Sequence, residues 1–252
     1  VKLQNAEGQQ FCGWVRVGHR PAENTLSVTV SESLLPVLPE VLARIKNLFD
    51  LYCEPKAVYE TLQVMNTLQP GLCVLGTRLP GCFNVFEMSV RAVLGQQITV
   101  KAASTLAARL VAVYGTQVQT GIEGLTHSFP APAAILALGE NISEHLGKLG
   151  IISARANTIY QLARVLADEK NDFGFCGNPE EEMQKLQAIR GIGSWTAQYI
   201  AMRAMGWPDA FLPTDAGIKK ALPDHTPKEL QVLSEAWRPW RSYATVNLWN
   251  TL

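Results

Sequence analysis

The sequence predicts a mainly α protein, with a small N-terminal α+β domain over residues 1–70 followed by an all-α domain over residues 71–252. Three observations predict it. The period-two alternation of strands is confined to the first thirty residues, apolar residues recur at helical spacing from Pro36 onward, and the later segments are short and joined by turns rich in Gly and Pro.

Taken in order, "FCGWVRV" and "TLSVTV" alternate between Phe11 and Val30, and "GHRPAEN" between them carries turn residues, so this stretch reads as one hairpin. After Pro36, the residues Val37, Val41, Leu42, Ile45, Leu48 and Phe49 line one face of a helix. The α+β unit ends between "CEP" and "QPGL". Helices are then expected over roughly 83–94, 99–114, 132–138, 142–147, 153–168, 179–189, 194–205, 215–221, 227–235 and 239–250. Asn178-Pro179-Glu180-Glu181-Glu182 supplies an N-cap residue, a proline at the first helical position and acids on the positive end of the dipole. "TPKEL" from Thr226 repeats this with less charge. No fixed-period repeat or low-complexity tract interrupts the pattern.

With 252 residues and 47% hydrophobic content, the chain can bury a proper core and reads as globular and soluble. Lys plus Arg and Asp plus Glu both total 22, so the average composition lacks the positive footprint of a nucleic-acid binder. Any such binding must come from local arrangement. Cys12, Cys53, Cys73, Cys82 and Cys176 are odd in number and form no C-x-x-C pair, which argues against a disulfide framework, a zinc site and an iron–sulfur cluster, and suits a reducing cytosol. The N-terminus has no signal-peptide core, and no apolar run approaches membrane-spanning length. The chain begins with Val1 rather than Met, which leaves room for a longer, fused polypeptide. His19, His127, His145 and His225 are scattered, and none is assigned a ligand role.

The local arrangement that stands out is "RGIG", which joins a helix ending near Ile189 to one starting near Ser194. Gly191 and Gly193 let the backbone approach an object closely and adopt positive φ, while Ile192 anchors the turn in the core. The following helix N-terminus presents unpaired N–H groups, so turn and helix together make a phosphate site without lysines. An ordinary helical hairpin is the competing reading of Gly-x-Gly by itself.

"LQAIRGIGSWTAQYIAMRAMG" followed by "DAFLPTD", with "VRAVLGQQITVKAAS" upstream and "WRPWRSYATVNLW" downstream, resembles the helix-hairpin-helix DNA glycosylases. Within them it is most similar to the alkylation-repair type, DNA-3-methyladenine glycosylase II, and the stretch through "LFDLYCEP" resembles that type's first domain. The resemblance implies that residues 71–252 form a glycosylase domain of two helical lobes with the cleft between them.

The resemblance also implies roles. Enzymes of the superfamily that attack the sugar through a Schiff base carry lysine two residues past the second Gly; Trp195 stands there, which implies a monofunctional enzyme. The iron–sulfur cysteines of the endonuclease III branch are missing too. Asp215 is the implied catalytic carboxylate, stabilising positive charge on the deoxyribose and orienting water, while a helix cap for "AGIKKAL" is its structural alternative. Trp195 and Tyr199, four apart on one helix face, could stack a flipped cationic base, with Trp249 as a further wall; core packing is the alternative. The hairpin residues Gly191, Gly193 and Thr196 are implied to hold DNA.

The loop "LGQQIT" is implied to enter the minor groove. Gln97 stands where the best-known alkylation enzyme has a leucine wedge, with Ile98 beside it, so Gln97 either pairs with the orphaned base or belongs to a packed kink. Arg238 and Arg241 are read as phosphate contacts or solvated surface, and Arg155 as structural. No cofactor is required by the resemblance, but the carbonyls of Gln187, Ile189 and Ile192 are implied as a seat for one structural monovalent cation, Na⁺ or K⁺. The implied partner is duplex DNA carrying alkylated bases, met by a cytoplasmic monomer with no membrane association.

Overall fold

The structure is a computed structural model that describes residues 1–5, 7–167 and 178–252. The expected hairpin is present between Val15 and Val30, but Phe11 and Cys12 belong to a second, separate ladder. Strand β1 (Lys2–Gln4) pairs antiparallel with β2 (Gln10–Cys12), and β3 (Val15–Arg20) pairs antiparallel with β4 (Thr25–Val30) in the register Val15 to Val30. "FCGWVRV" breaks at Gly13, where a Cβ would lie 2.1 Å from the Ser31 hydroxyl and 2.7 Å from Leu34 Cγ. The bare backbone passes close under that corner, and the strand on either side takes a different partner.

Helix α1 (Leu38–Leu48) turns Val41 and Ile45 inward beside Val37, Leu34 and Leu3, and the valines of the second ladder cover them. Leu42 and Phe49, expected on that face, are exposed instead. Helix α2 (Pro55–Leu62) packs elsewhere. Its Val58 and Leu62, with Met65, Leu72 and Leu79, join a second core built mainly from the C-terminal helices, including Ile218, Leu230 and Trp237.

Between these parts lies the first helical lobe: α3 (Val85–Leu94), α4 (Val100–Tyr114), a two-residue ladder of β5 (Thr116–Gln117) with β6 (His127–Ser128), α5 (Pro132–Leu136), α6 (Ile142–Gly147) and α7 (Ser153–Leu166). Val90, Val93, Leu110, Ile135, Leu146, Ile159 and Leu162 fill its core. Then follow α8 (Pro179–Gln187), α9 (Ser194–Arg203), α10 (Ala216–Ala221), α11 (Pro227–Leu233) and α12 (Arg241–Trp249). Caps set several starts: Asn84 accepts from Glu87 N, Thr99 from Ala102 N, Asn178 from Glu180 N, and Thr226 forms a reciprocal box with Glu229.

Most expected helices are present with ends shifted by a few residues, and the shifts have local causes. The helix expected to reach 205 closes at Arg203 because Gly206 takes φ +64°, with Trp207 N bonding back to the Ala201 carbonyl. The one expected over 227–235 changes to 3₁₀ geometry over Ser234–Trp237. Residue 168, the expected end of α7, lies outside the described residues, as does Cys176.

Helix α9 is shared by the two lobes. Its Ala197 and Ile200 enter the first core, and its Ala201 and Met202 enter the second, so its exposed N-terminal end sits at the seam. Arg241 is neither phosphate contact nor solvated surface. It is buried, with Nε 2.8 Å and Nη2 2.9 Å from the two carboxylate oxygens of Asp209, and Arg238 is paired with Asp209 and Glu235. Helix α12 is further tied to the N-terminal half. The Tyr243 hydroxyl donates to Asp50 Oδ2 (2.9 Å), and Asn247 Oδ1 accepts from Val74 N (3.0 Å) and Thr77 Oγ1 (2.9 Å). Burial pushes the Tyr243 phenol far above the ordinary tyrosine range, so it stays a donor.

Candidate active site

The hairpin turn between α8 and α9 is held from inside the protein. Gly191 has φ +96°, and a Cβ there would lie 2.1 Å from the Thr158 hydroxyl, which itself donates to the Arg190 carbonyl (2.9 Å). Ile192 is buried in the first core. Gly193 differs from the expectation of positive φ: it has φ −86° and ψ 177°, ordinary extended backbone. Nothing lies within 4 Å of where its Cβ would be. It caps α9 without a side chain, so the first N–H groups of that helix face outward with the positive end of the dipole. Thr196 is buried and its hydroxyl turns inward, accepting from Gln96 Nε2 at 2.9 Å, so only its main chain belongs to the outward-facing turn.

Asp215 is the N-cap of α10, and four N–H donors converge on its carboxylate. Oδ1 accepts from Gly217 N (2.9 Å), Ile218 N (3.1 Å) and Trp249 Nε1 (2.8 Å); Oδ2 accepts from Trp195 Nε1 (3.0 Å). The cap and the aromatic site are therefore one structure. Asp215 is only 8% exposed, so its charge sits among fixed dipoles with little bulk water. Oδ1 accepts from three donors, whereas Oδ2 accepts from one among the described residues, which leaves it a lone pair.

Trp195, Tyr199 and Trp249 come together, though not as a slot around a base. The Trp195 and Tyr199 rings stack on each other, with centroids 5.2 Å apart and planes 10° apart. A base between them would need about 7 Å, twice the van der Waals separation. Four residues further along α9, the Arg203 guanidinium lies 5.7 Å from the Tyr199 centroid. Tyr199 thus stands behind Trp195, 6.3 Å from the Trp249 ring, and the half-buried indoles of Trp195 and Trp249 are the two that bond Asp215.

In the loop between α3 and α4, Gln97 is exposed at φ +53° and Ile98 is half-buried. At the hairpin, the carbonyls of Gln187 and Ile192 accept no backbone hydrogen bond among the described residues, while that of Ile189 accepts from Ile192 N at 3.0 Å. Free carbonyl oxygens are hard ligands of the kind a monovalent cation takes, so these residues fit the implied group. Among the described residues no cluster of His, Cys, Asp and Glu could hold a metal ion.

Family models match nearly the whole chain. The AlkA N-terminal domain matches residues 2–84, and the HhH-GPD superfamily base excision DNA repair protein model matches residues 90–241. The chain belongs to the HhH-GPD superfamily of base excision DNA repair proteins. It is 38% identical over 230 residues to DNA-3-methyladenine glycosylase 2 of Escherichia coli K12, covering 91% of this chain and 78% of that one. It is 40% identical over 216 residues to a Mycobacterium tuberculosis protein described as a "probable bifunctional transcriptional activator/DNA repair enzyme AlkA", covering 83% of this chain and 42% of that one. The 3-methyladenine DNA-glycosylase from Archaeoglobus fulgidus shares the fold, with a TM-score of 0.75 at 21% identity over 98% of this chain and 88% of that one.

In this HhH-GPD chain, sequence reasoning missed three residues that build the site. Gly217 leaves the space the Trp249 indole needs, since a Cβ there would lie 2.7 Å from Trp249 Cδ1. A glycine inside a six-residue helix was the available signal. Thr158 braces Gly191, and Gln96 reaches the turn from 95 residues away; neither carries a local pattern that announces it.

Proposed function

We infer that the chain is a monofunctional DNA glycosylase that hydrolyses the N-glycosyl bond of alkylated bases, such as 3-methyladenine, in duplex DNA during base excision repair. The observation that carries this reading is the Asp215 carboxylate, held by four N–H donors between two indoles, with no ammonium group bonded to it among the described residues. A lysine nucleophile would be needed for a Schiff base, and Trp195 occupies that position.

Each group has a task in hydrolysis. As the C1′–N bond lengthens, positive charge builds on the deoxyribose, and the Asp215 anion stabilises it without reorganising. Oδ2, with its free lone pair, orients a water whose oxygen bonds to C1′; the electron pair of the broken bond leaves with the base, and the water's proton passes to the carboxylate or to solvent. A cationic alkylated purine departs neutral, which removes the need for a second acid. The faces of Trp195 and Trp249 stabilise that cation while it is bound. The N–H groups after Gly193 grip a phosphate, and the carbonyls of Gln187, Ile189 and Ile192 can hold a Na⁺ or K⁺ whose charge draws the same phosphate inward.

The free thiols of Cys12, Cys53 and Cys73 suit a reducing cytoplasm, and among the described residues no helix is long and apolar enough to cross a membrane. Base release from methylated, oxidised and deaminated duplexes tests the function. Release should be fastest from the methylated DNA, and borohydride should trap no covalent complex. Faster release of an oxidised or deaminated base, or a trapped adduct, would overturn the reading.

A further inference from the structure

The loop carrying Gln97 and the turn carrying Gly193, far apart in sequence, are bonded to each other. Gln96 Nε2 donates to the Gly191 carbonyl and to the Thr196 hydroxyl, both at 2.9 Å. The Arg155 guanidinium, from α7, donates to the main-chain carbonyl of the same Gln96. One turn further along α7, Thr158 donates to the Arg190 carbonyl and packs where a Gly191 side chain would be. Loop, turn and one face of α7 therefore form a closed brace, with Gln96 held at both its side chain and its carbonyl.

The next residue shows what the brace does. Gln97 has φ +53°, a left-handed conformation that is unfavourable for a residue with a Cβ and persists only where its neighbours impose it. Gln96, fixed at both ends, is the neighbour that imposes it. The result is an exposed side chain at a loop tip, projected at a set distance from the phosphate-holding N–H groups of α9.

We infer that Gln96 is a positioning residue for base flipping. By anchoring the loop to the hairpin, it fixes the register between the group that fills the emptied stack and the group that grips the backbone. The inference rests on the reading of loop and turn as DNA contacts given above. The bonds of Gln96 go to the turn and to α9 rather than to Asp215, so its loss falls on flipping and not on bond cleavage.

Gln96→Met keeps the length of the side chain and removes both donors, and Gln96→Glu keeps its shape while setting an acceptor against the Gly191 carbonyl. Single-turnover excision is measured on two duplexes: one with the alkylated purine fully paired, and one with it in a bulge, already unstacked. Flipping is read separately from the fluorescence of a 2-aminopurine beside the lesion, and folding from a thermal melt. On paired DNA both variants should lose about tenfold or more, the scale of two neutral hydrogen bonds, with a matching fall in the fluorescence amplitude. On the bulge, where unstacking is already done, the loss should shrink to about threefold or less. Combined with Gln97→Ala, Gln96→Met should add less than its single effect, as expected of two residues acting through one loop.

Equal losses on both duplexes, or full additivity with Gln97→Ala, would overturn the proposal in favour of general damage to the fold. Gln97→Ala without effect on paired DNA would instead remove the loop reading and the brace's purpose with it. Impaired Gln97→Ala beside normal flipping by both Gln96 variants would sink the brace alone.

Discussion

Replacing Asp215 with Asn separates a helix cap from a catalytic anion, and the geometry sizes both effects. An amide oxygen at the Oδ1 position keeps the bonds from Gly217 N, Ile218 N and Trp249 Nε1. On the other side, the amide nitrogen would face Trp195 Nε1, donor against donor, at a separation of 3.0 Å. One hydrogen bond to a charged acceptor lost, with a donor left unpaired, costs about 2–3 kcal/mol, so the variant should fold. The anion counts for more. A carboxylate about 4 Å from a sugar bearing a full positive charge contributes about 4 kcal/mol at an effective dielectric near 20. Single-turnover excision should therefore fall roughly 10²–10³-fold, as for other preorganised electrostatic groups, while DNA affinity stays close to that of the parent. Trp195→Phe removes the facing donor, so Asp215→Asn made in that background isolates the charge. A fall of less than about tenfold there, with an unaltered melt, would refute the argument, because a cap alone is served nearly as well by Asn.

Two further predictions concern the turn and the aromatic wall. Gly193→Val should lower the melting temperature little, because nothing beyond the adjacent residues lies within 4 Å of where its Cβ would be, yet weaken DNA binding. In the parent, the slope of log affinity against log salt should be shallow, roughly −2 to −4, as expected for about two to four phosphate contacts, and a steep slope would count against a main-chain grip. Trp249→Ala should impair excision of cationic purines more than of neutral lesions, by a difference of about 0.5–2 kcal/mol. Gly217→Ala should reproduce that pattern by pushing the indole off Asp215, without the stability loss of a truncated core residue, and equal losses on both substrates would point to packing damage.

Helices were legible because their signals are local. Asn178 with its proline and acids, and Thr226 with Glu229, mark starts within four residues, and the structure places bonds there. The hairpin of β3 with β4 was legible, but the pairing of β1 with β2 was not. β1 is three residues long with one apolar residue, Leu3, and the break at Gly13 depends on Ser31 and Leu34, about twenty positions away. The same distance effect hid the second core, in which Val58 and Leu62 meet Trp237; helical periodicity shows which face is apolar but not what covers it. In the site, Asp215 and Trp249 were named through the family resemblance and Trp195 with Tyr199 through their spacing, but the stack of Trp195 on Tyr199 could not be, since a shared helix face says nothing of ring separation.

The two glycines of the turn show most directly what a motif conceals. In sequence they are equivalent, and both invite the same argument from backbone freedom. In the structure Gly191 is required from within: its φ of +96° disfavours any side chain, and Thr158 occupies the space one would need. Gly217 is required from within as well, by the Trp249 indole. Gly193 has an ordinary φ, nothing beyond its adjacent residues within 4 Å of where a Cβ would be, and no side-chain capping bond, so nothing in the protein's own packing calls for a glycine there. A bare backbone at that point serves something that approaches from outside, at a helix N-terminus whose dipole favours an anion. A chain with balanced charge thus has a means of holding a phosphate that its composition conceals, and Gly193→Val puts that one role at risk while leaving the interior intact.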